Sequence, residues 1–316
     1  MKGASVVILG IYVTDLAFRA ERMPLIGETV AGSAFAMGPG GKGSNQAVAA
    51  ARAGADVVFC TRIGADAFGE IAQSTWAAEG ITSRATVLEG VSTGAAHIYV
   101  DERTGGNAII VAAGAAGTLG AADVDAIEAD IARAAVFVTQ LEQPVPAARR
   151  GLELARRHGV TTVFNPAPAL PFEDDIYPLC DYITPNETEA TALTGIAIAS
   201  VDDARRAADV LLAKGARAVI VTLGEAGALL HTPDESVLVP AFDCGRVIET
   251  AGAGDGFTGG FAAALARGER PLDAVRFGCA LASLSVTRAG TAPSMPTLEE
   301  INAVLGERPV LAAQSS

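Results

Sequence analysis

Residues 201–224, "VDDARRAADVLLAKGARAVIVTLG", carry side by side the two periodicities that decide the fold. From Val201 the apolar residues recur at helical spacing and the pattern stops at Gly215, as an amphipathic helix does. The run "AVIVTLG" (218–224) is then almost unbroken in its apolar character, the mark of a strand buried on both faces. The same pairing of motifs recurs along the chain. "VVILG" (6–10), "VVFCTRIG" (57–64), "AVFVTQLE" (135–142), "TTVFNPAP" (161–168) and "DYITPNE" (181–187) read as buried strands, while "SNQAVAAARAGA" (44–55) and "PAARRGLELARRHG" (146–159) read as helices ending at glycine. Alternation of this kind predicts an α/β fold, a mostly parallel sheet sandwiched by helices. "GDGFTGGFAAALARG" and "PLDAVRFGCALASLSVTR" read as successive helices near the end.

Two stretches break the rhythm, about 13–37 and 93–111, where "ERTGGN" (102–107) reads as a hairpin turn. They are expected to pair into a small antiparallel β lid over the edge of the main sheet. No linker, repeat or low-complexity segment divides the chain, so a single domain over 1–316 is expected.

Half of the residues are hydrophobic and only 5% aromatic, so the core is built from Ala, Val, Leu and Ile. A formal charge of −13 argues against nucleic acid or an anionic membrane as partner, since both select a basic footprint. No apolar run approaches a membrane span, and "MKGASVVILGIYV" lacks the cleavage site that follows a signal sequence; the expected location is the cytoplasm. Cys60, Cys180, Cys244 and Cys279 form no C-x-x-C pair and there are only three histidines, so buried free thiols are expected rather than zinc or disulfides.

Glycine clusters mark the candidate chemistry. "GPGGKGSNQ" (38–46) is no Walker A loop, because Gly43 follows the lysine where Ser or Thr is needed. G-x-G-x-x-G occurs both there and at Gly254, Gly256 and Gly259, without the βαβ setting a dinucleotide fold requires. The segment reads either as a tight turn capped by Ser44 or as a polyhydroxyl-binding loop with Lys42 and Asn45 turned to bare backbone. "NETE" (186–189) reads either as a capping box or as a carboxylate ordering metal-bound water. In "ETAGAGDGFTGG" (249–260), Asp255 either caps a helix or stands beside a nest of amides from Gly252, Ala253 and Gly254, which would hold a transferring phosphoryl group while the carboxylate accepts a hydroxyl proton.

With these motifs in this order, the chain resembles the ribokinase branch of the PfkB carbohydrate kinase family. "GGKGSNQAVAAARAGA" (40–55), "TPNETEA" (184–190), "VTLGEAG" (221–227) and "TAGAGDGF" (250–257) carry the likeness, supported by "PLIGETVAG" (24–32), "TQLEQP" (139–144), "NPAPA" (165–169) and "VTRAGTAPSMP" (286–296). The resemblance implies an ATP- and Mg²⁺-dependent kinase with Asp255 as catalytic base and residues 252–254 as anion hole. It implies that Asp15, Gly41, Lys42, Asn45 and Glu142 grip the sugar, and that Asn186, Thr222, Leu223, Gly224, Gly227, Gly254 and Cys279 border ATP. Glu189 would order water around Mg²⁺; Glu249, Ala251, Ser285, Arg288, Gly290 and Ser294 would hold K⁺ or another monovalent cation. The lid would close over the sugar and clasp that of a second subunit in a homodimer.

Three positions depart from the family pattern. Glu249 replaces an aspartate and Gly256 a threonine. Val13, in "GIYVTD" (10–15), replaces an asparagine that hydrogen-bonds the sugar, which valine cannot do. The expected reaction is phosphorylation of the primary hydroxyl of a pentose, D-ribose giving ribose 5-phosphate. The alternatives are 2-deoxyribose, another sugar or a nucleoside as acceptor, a non-catalytic sugar or nucleotide sensor, and, more distantly, a nicotinamide-dependent oxidoreductase. Tyr12, beside Val13, reads as core rather than as a stacking platform for a base.

Overall fold

The structure, a computed structural model, describes residues 5–306; the two ends of the domain expected over 1–316 lie outside the described residues. The strands are β1 (Ser5–Leu9), β2 (Val13–Ala20), β3 (Ala34–Gly40), β4 (Asp56–Gly64), β5 (Thr82–Leu88), β6 (Thr93–Asp101), β7 (Asn107–Gly114), β8 (Val136–Thr139), β9 (Thr161–Phe164), β10 (Tyr182–Ile183), β11 (Ala218–Thr222), β12 (Ala228–His231) and β13 (Ser236–Val239). The α-helices are α1 (Lys42–Arg52), α2 (Ala67–Ala78), α3 (Ala121–Ala126), α4 (Glu128–Arg133), α5 (Val145–Arg157), α6 (Glu187–Thr194), α7 (Val201–Ala213), α8 (Ala253–Ala266), α9 (Pro271–Ser285) and α10 (Leu298–Gly306). None of the described helices is long and apolar enough to cross a membrane.

The large sheet runs β13-β12-β11-β10-β9-β8-β1-β4-β5, parallel from β11 to β5 and antiparallel at the β12–β13 edge. Its apolar strands serve two cores at once. Val6 and Ile8 of β1 pack with α1, α8 and α9 on one face, while Val7 and Leu9 pack with α5 and α7 on the other. That is why the strands read as continuous apolar runs rather than alternating ones. The strand order turns at β1, which lies between β8 and β4, and the carboxyl ends there form the crevice where α/β sheets bind ligands.

The second G-x-G-x-x-G is a packing device. A Cβ on Gly259 would lie 2.6 Å from the Gln46 carbonyl oxygen and 2.7 Å from the Ala49 Cβ, so glycine lets α8 press on α1. Gly256 and Gly260 lie against the Leu281 side chain of α9, 2.9 and 2.8 Å from a would-be Cβ.

The smaller sheet, β3-β2-β6-β7, joins the two stretches that break the α/β rhythm. The "ERTGGN" turn links antiparallel β6 and β7, but β2 and β6 are parallel, so the sheet is mixed rather than wholly antiparallel, and its strands run on to Gly40 and Gly114. Phe18, Phe35, Met37, Ile109 and Ile110 lie exposed on it, with the Phe18 and Phe35 ring centroids 4.9 Å apart. Cys60, Cys180 and Cys279 are buried free thiols as expected, whereas Cys244 is partly exposed. Tyr12 is fully buried with its ring edge-on to Trp76, a core residue.

Candidate active site

Two helix amino termini meet at the carboxyl ends of β1 and β8. The first begins at Gly41, whose φ of 86° and close approach to the Ile11 carbonyl (2.7 Å from a would-be Cβ) require glycine. Ser44 is not the cap: it lies inside α1, fully buried, and its Oγ accepts the Trp76 indole N–H at 3.0 Å. Tertiary contact with the β1 end therefore starts the helix three residues earlier than the capping signal would. Asn45 and Gln46 are thereby carried into the interior against α8.

The second begins at Gly252, with φ of 80°, and places Asp255 in the first turn of α8. Asp255 is buried, and both of its oxygens are held by neighbouring α1 residues. Asn45 Nδ2 donates to Oδ2 at 3.0 Å and Gln46 Nε2 to Oδ1 at 3.2 Å. Asp255 borders a cavity of about 210 Å³ walled also by Lys42, Asn186, Glu189, Thr222, Gly252 and Gly254. The Ala253 N–H donates to the Thr250 carbonyl at 3.2 Å.

The expected sugar-gripping residues surround Lys42. Its backbone N–H donates to Glu142 Oε2 at 2.7 Å, and the negative charge of Asp255, ahead of that of Glu142, holds its ammonium protonated despite burial. Burial lifts Glu142 to about 7, opposed by Lys42. Asp15 is lifted to about 6, chiefly by burial and further by the charges of Asp255 and Glu249, while the Thr291 hydroxyl, donating at 3.4 Å, pulls the other way. Val13, paired with Gly40 and Gly94, is buried in a small apolar cluster with Ile11, Ala96 and Ala116.

On the far side of the cavity "NETE" forms a full capping box: Asn186 Oδ1 accepts the Glu189 N–H at 2.8 Å and Glu189 Oε2 accepts the Asn186 N–H at 2.9 Å. The capping reading is thus met, yet both residues also face the cavity, so the two readings of this motif are compatible. Burial raises the Glu189 carboxyl, with the Asn186 N–H opposing. Leu223, Gly224, Gly227 and Cys279 stand apart from the cavity wall. The Leu223 N–H donates to the Gly227 carbonyl at 2.8 Å, and Gly227 and the Cys279 thiol both adjoin the Val239 carbonyl.

The expected cation ligands gather around residues 285–294. Glu249 Oε2 accepts the Gly290 N–H at 2.8 Å, the Ser285 carbonyl accepts the Arg288 N–H at 3.1 Å, and Ser294 Oγ donates to the Thr291 carbonyl at 2.8 Å. Arg288 turns its guanidinium to Glu300, leaving only backbone to offer. Ala251 joins Glu249 to the Gly252 turn. Among the described residues no group of three or more His, Cys, Asp or Glu side chains could hold a metal on its own.

Gln46, Asn165, Gln140 and Thr291 belong to this site and escaped the sequence reading. The one local hint was a second buried polar side chain beside Asn45 in an alanine-rich helix. A larger hollow, about 610 Å³, lies at the opposite, amino-terminal ends of β9–β11, where Arg156 and Arg217 both pair with Asp181; none of the residues singled out lies there.

A buried carboxylate at a glycine-started helix, a lysine beside it and the cap of a second helix thus line one cavity. The chain belongs to the pfkB family of carbohydrate kinases, whose model, "pfkB family carbohydrate kinase", matches residues 4–298. It is 39% identical over 294 residues to a ribokinase of Haemophilus influenzae, covering 93% of this chain and 95% of that one. To a deoxyribokinase of Salmonella typhi it is 38% identical over 304 residues, covering 95% and 98%. The solved ribokinase of Thermotoga maritima superposes with a TM-score of 0.87 at 34% identity over 96% of this chain and 99% of that one. These relationships define an ATP-dependent sugar or nucleoside kinase acting on a hydroxyl group.

Proposed function

We propose that this protein transfers the γ-phosphoryl group of ATP to the primary hydroxyl of a pentose, D-ribose giving ribose 5-phosphate. The observation that carries the reading is the buried Asp255 carboxylate, clamped by Asn45 and Gln46 at the start of α8 beside Lys42. Asp255 takes the hydroxyl proton as the oxygen attacks phosphorus in line, and the amides of Gly252, Ala253 and Gly254 receive the charge gathering on the phosphoryl oxygens. Ala253 must give up its bond to Thr250 to take part. Asp15, Gly41, Lys42, Asn45 and Glu142 orient the sugar; Asn186, Thr222 to Gly227 and Cys279 border the nucleotide.

The residues present suit the expected ions. Glu189 keeps one carboxylate oxygen outside its capping bond and faces the cavity, where it would order water around Mg²⁺. When bound, Mg²⁺ offsets the phosphate charge. The oxygen-only donor set of Glu249 and the backbone carbonyls of Ala251, Ser285, Arg288, Gly290 and Ser294 suits a hard monovalent cation such as K⁺. The chain acts as one domain, the small sheet as a lid that closes over the sugar. The exposed Phe18, Phe35 and Ile110 support pairing of two lids in a homodimer.

One observation favours a second acceptor, 2-deoxy-D-ribose. Val13 shares its side of β2 with Asp15 yet is packed among Ile11, Ala96 and Ala116, so this corner of the site offers no hydrogen bond to a sugar hydroxyl. A hydroxyl held there without a partner loses about 1–3 kcal/mol. The test is kcat/KM for D-ribose, 2-deoxy-D-ribose, D-fructose and a nucleoside panel, for the wild type and Val13→Asn. D-Ribose is expected to lead about tenfold, 1.4 kcal/mol, and the substitution to raise its ratio over 2-deoxy-D-ribose. A wild type that prefers 2-deoxy-D-ribose selects the second acceptor; one that turns over none of them overturns both.

A further inference from the structure

Asp255 is held by more than its immediate neighbours. The Asn165 side chain donates from Nδ2 to the Thr184 backbone carbonyl at 2.8 Å, and a carbonyl can only accept. The Asn165 amide is therefore fixed with its Oδ1 turned to Gln46, which must answer with Nε2 at 3.2 Å. The second hydrogen of the same nitrogen is then directed to Asp255 Oδ1, also at 3.2 Å. Behind it, Gln46 Oε1 accepts from Gln140 Nε2, and the backbone carbonyl of Gln140 accepts from Gln143 Nε2 at 2.6 Å, which also reaches Thr139 Oγ1 at 2.8 Å. Gln46, Gln140 and Gln143 are buried.

We infer that Gln46 is a positioning residue for the Asp255 carboxylate, with the polarity of its amide dictated by the Thr184 carbonyl through Asn165. The inference rests on the reading of Asp255 as the base. Three consequences follow from the bonding. A donor on Oδ1 and a second donor, Asn45, on Oδ2 stabilise the anion and fix the plane of the carboxylate. Each oxygen accepts one bond from these amides and retains a further acceptor position for the substrate proton. A glutamate at position 46 would have the same shape but the wrong chemistry, because it would face two acceptors, Asn165 Oδ1 and Asp255 Oδ1. The charged groups around Asp255 are Lys42 of α1, Asp15 of β2, Glu142 beyond β8 and Glu189 of α6; all remain in place in the variants below.

The experiment compares Gln46→Glu and Gln46→Met with the wild type in pH profiles of kcat and in KM for ATP and for the best sugar, after circular dichroism shows them folded. Gln46→Glu is expected to lower kcat at pH 7 by about tenfold or more, to leave both KM values within about twofold, and to move the acid limb of the profile up by about one pH unit or more, since two facing carboxylates share a proton. Gln46→Met, which deletes the donor without adding a charge, moves the limb in the same direction by less and carries the test if the glutamate variant does not fold. Profiles whose acid limb stays in place, with kcat within twofold of wild type, overturn the inference. Asp255→Asn in the same assay separates the two readings. If it is inactive while the Gln46 variants behave as wild type, only the inference fails; if it turns over normally, the base assignment fails with it.

Discussion

Asp255→Asn is expected to lower kcat by about 10²–10⁴-fold, the range that a positioned general base supplies. The substitution keeps the shape of the side chain and its buried position, so the fold and the cavity walls should persist. It exchanges one acceptor oxygen for an amide that cannot take a proton from the attacking hydroxyl. Asn45 and Gln46 both donate to this side chain, and an amide nitrogen on either side would set donor against donor. On the proposed assignment of the nucleotide to Asn186 and Thr222, which the substitution leaves untouched, nucleotide affinity should change little. Steady-state turnover with nucleotide affinity from titration calorimetry checks both halves. Turnover near wild type would remove Asp255 from the chemistry.

Gly43→Ala is expected to damage the site severely through a single methyl group. A Cβ there would stand 2.7 Å from Gly10 Cα, 2.9 Å from its carbonyl carbon and 3.0 Å from the Ile11 nitrogen. All three are backbone atoms, so no rotamer change relieves the clash and α1 itself must move. Overpacking of this kind costs about 1–3 kcal/mol or more, against the ~1 kcal/mol that alanine gains over glycine in a helix. The displaced helix carries Lys42, Asn45 and Gln46, and an error near 1 Å in such groups lowers activity by about 10²-fold. Gly38→Ala is the matched control, since nothing lies within 4 Å of its Cβ position. Urea denaturation midpoints and kcat/KM for the two variants should diverge; equal values would show that the contact between α1 and the β1 end does not govern the site.

The legibility of this fold followed burial. β1, β8 and β11 were plain in the sequence because both their faces are covered and all but one residue of each is apolar. β5 was not, because "TSRATVL" is an edge strand that stays mostly exposed and polar. The β12–β13 hairpin closes the opposite edge, where its antiparallel pairing leaves no α/β rhythm to read. β10 is only two residues long, so most of "DYITPNE" is loop despite its strand-like look. The "ERTGGN" turn announced the local pairing of β6 with β7, but nothing local could announce the parallel pairing of β2 with β6, which lie some eighty residues apart.

The site divides in the same way. Lys42, Asn45, Asn186 and Asp255 could be singled out because each sits in a short stretch with its own pattern. Gln46 and Gln140 could not, because their meaning lies in partners far along the chain: Gln46 meets Asp255 209 positions away and Gln140 meets Gln46 94 positions away. Thr291 joins Asp15 across 276 positions for the same reason. Ser44 resembles a cap locally and so kept the turn reading open, whereas the contact of Gly43 with Gly10 dictates where the helix starts.

The central claim, in-line transfer from ATP to a primary sugar hydroxyl, is tested most directly by the product itself. The protein would be incubated with MgATP, K⁺ and the pentose of highest kcat/KM, and the phosphorylated sugar examined by phosphorus–proton correlated NMR. The account predicts a phosphate ester coupled to the two protons of the terminal carbon, formed in step with ADP. An ester on a secondary or anomeric hydroxyl, or ADP released with no phosphorylated sugar, would contradict it.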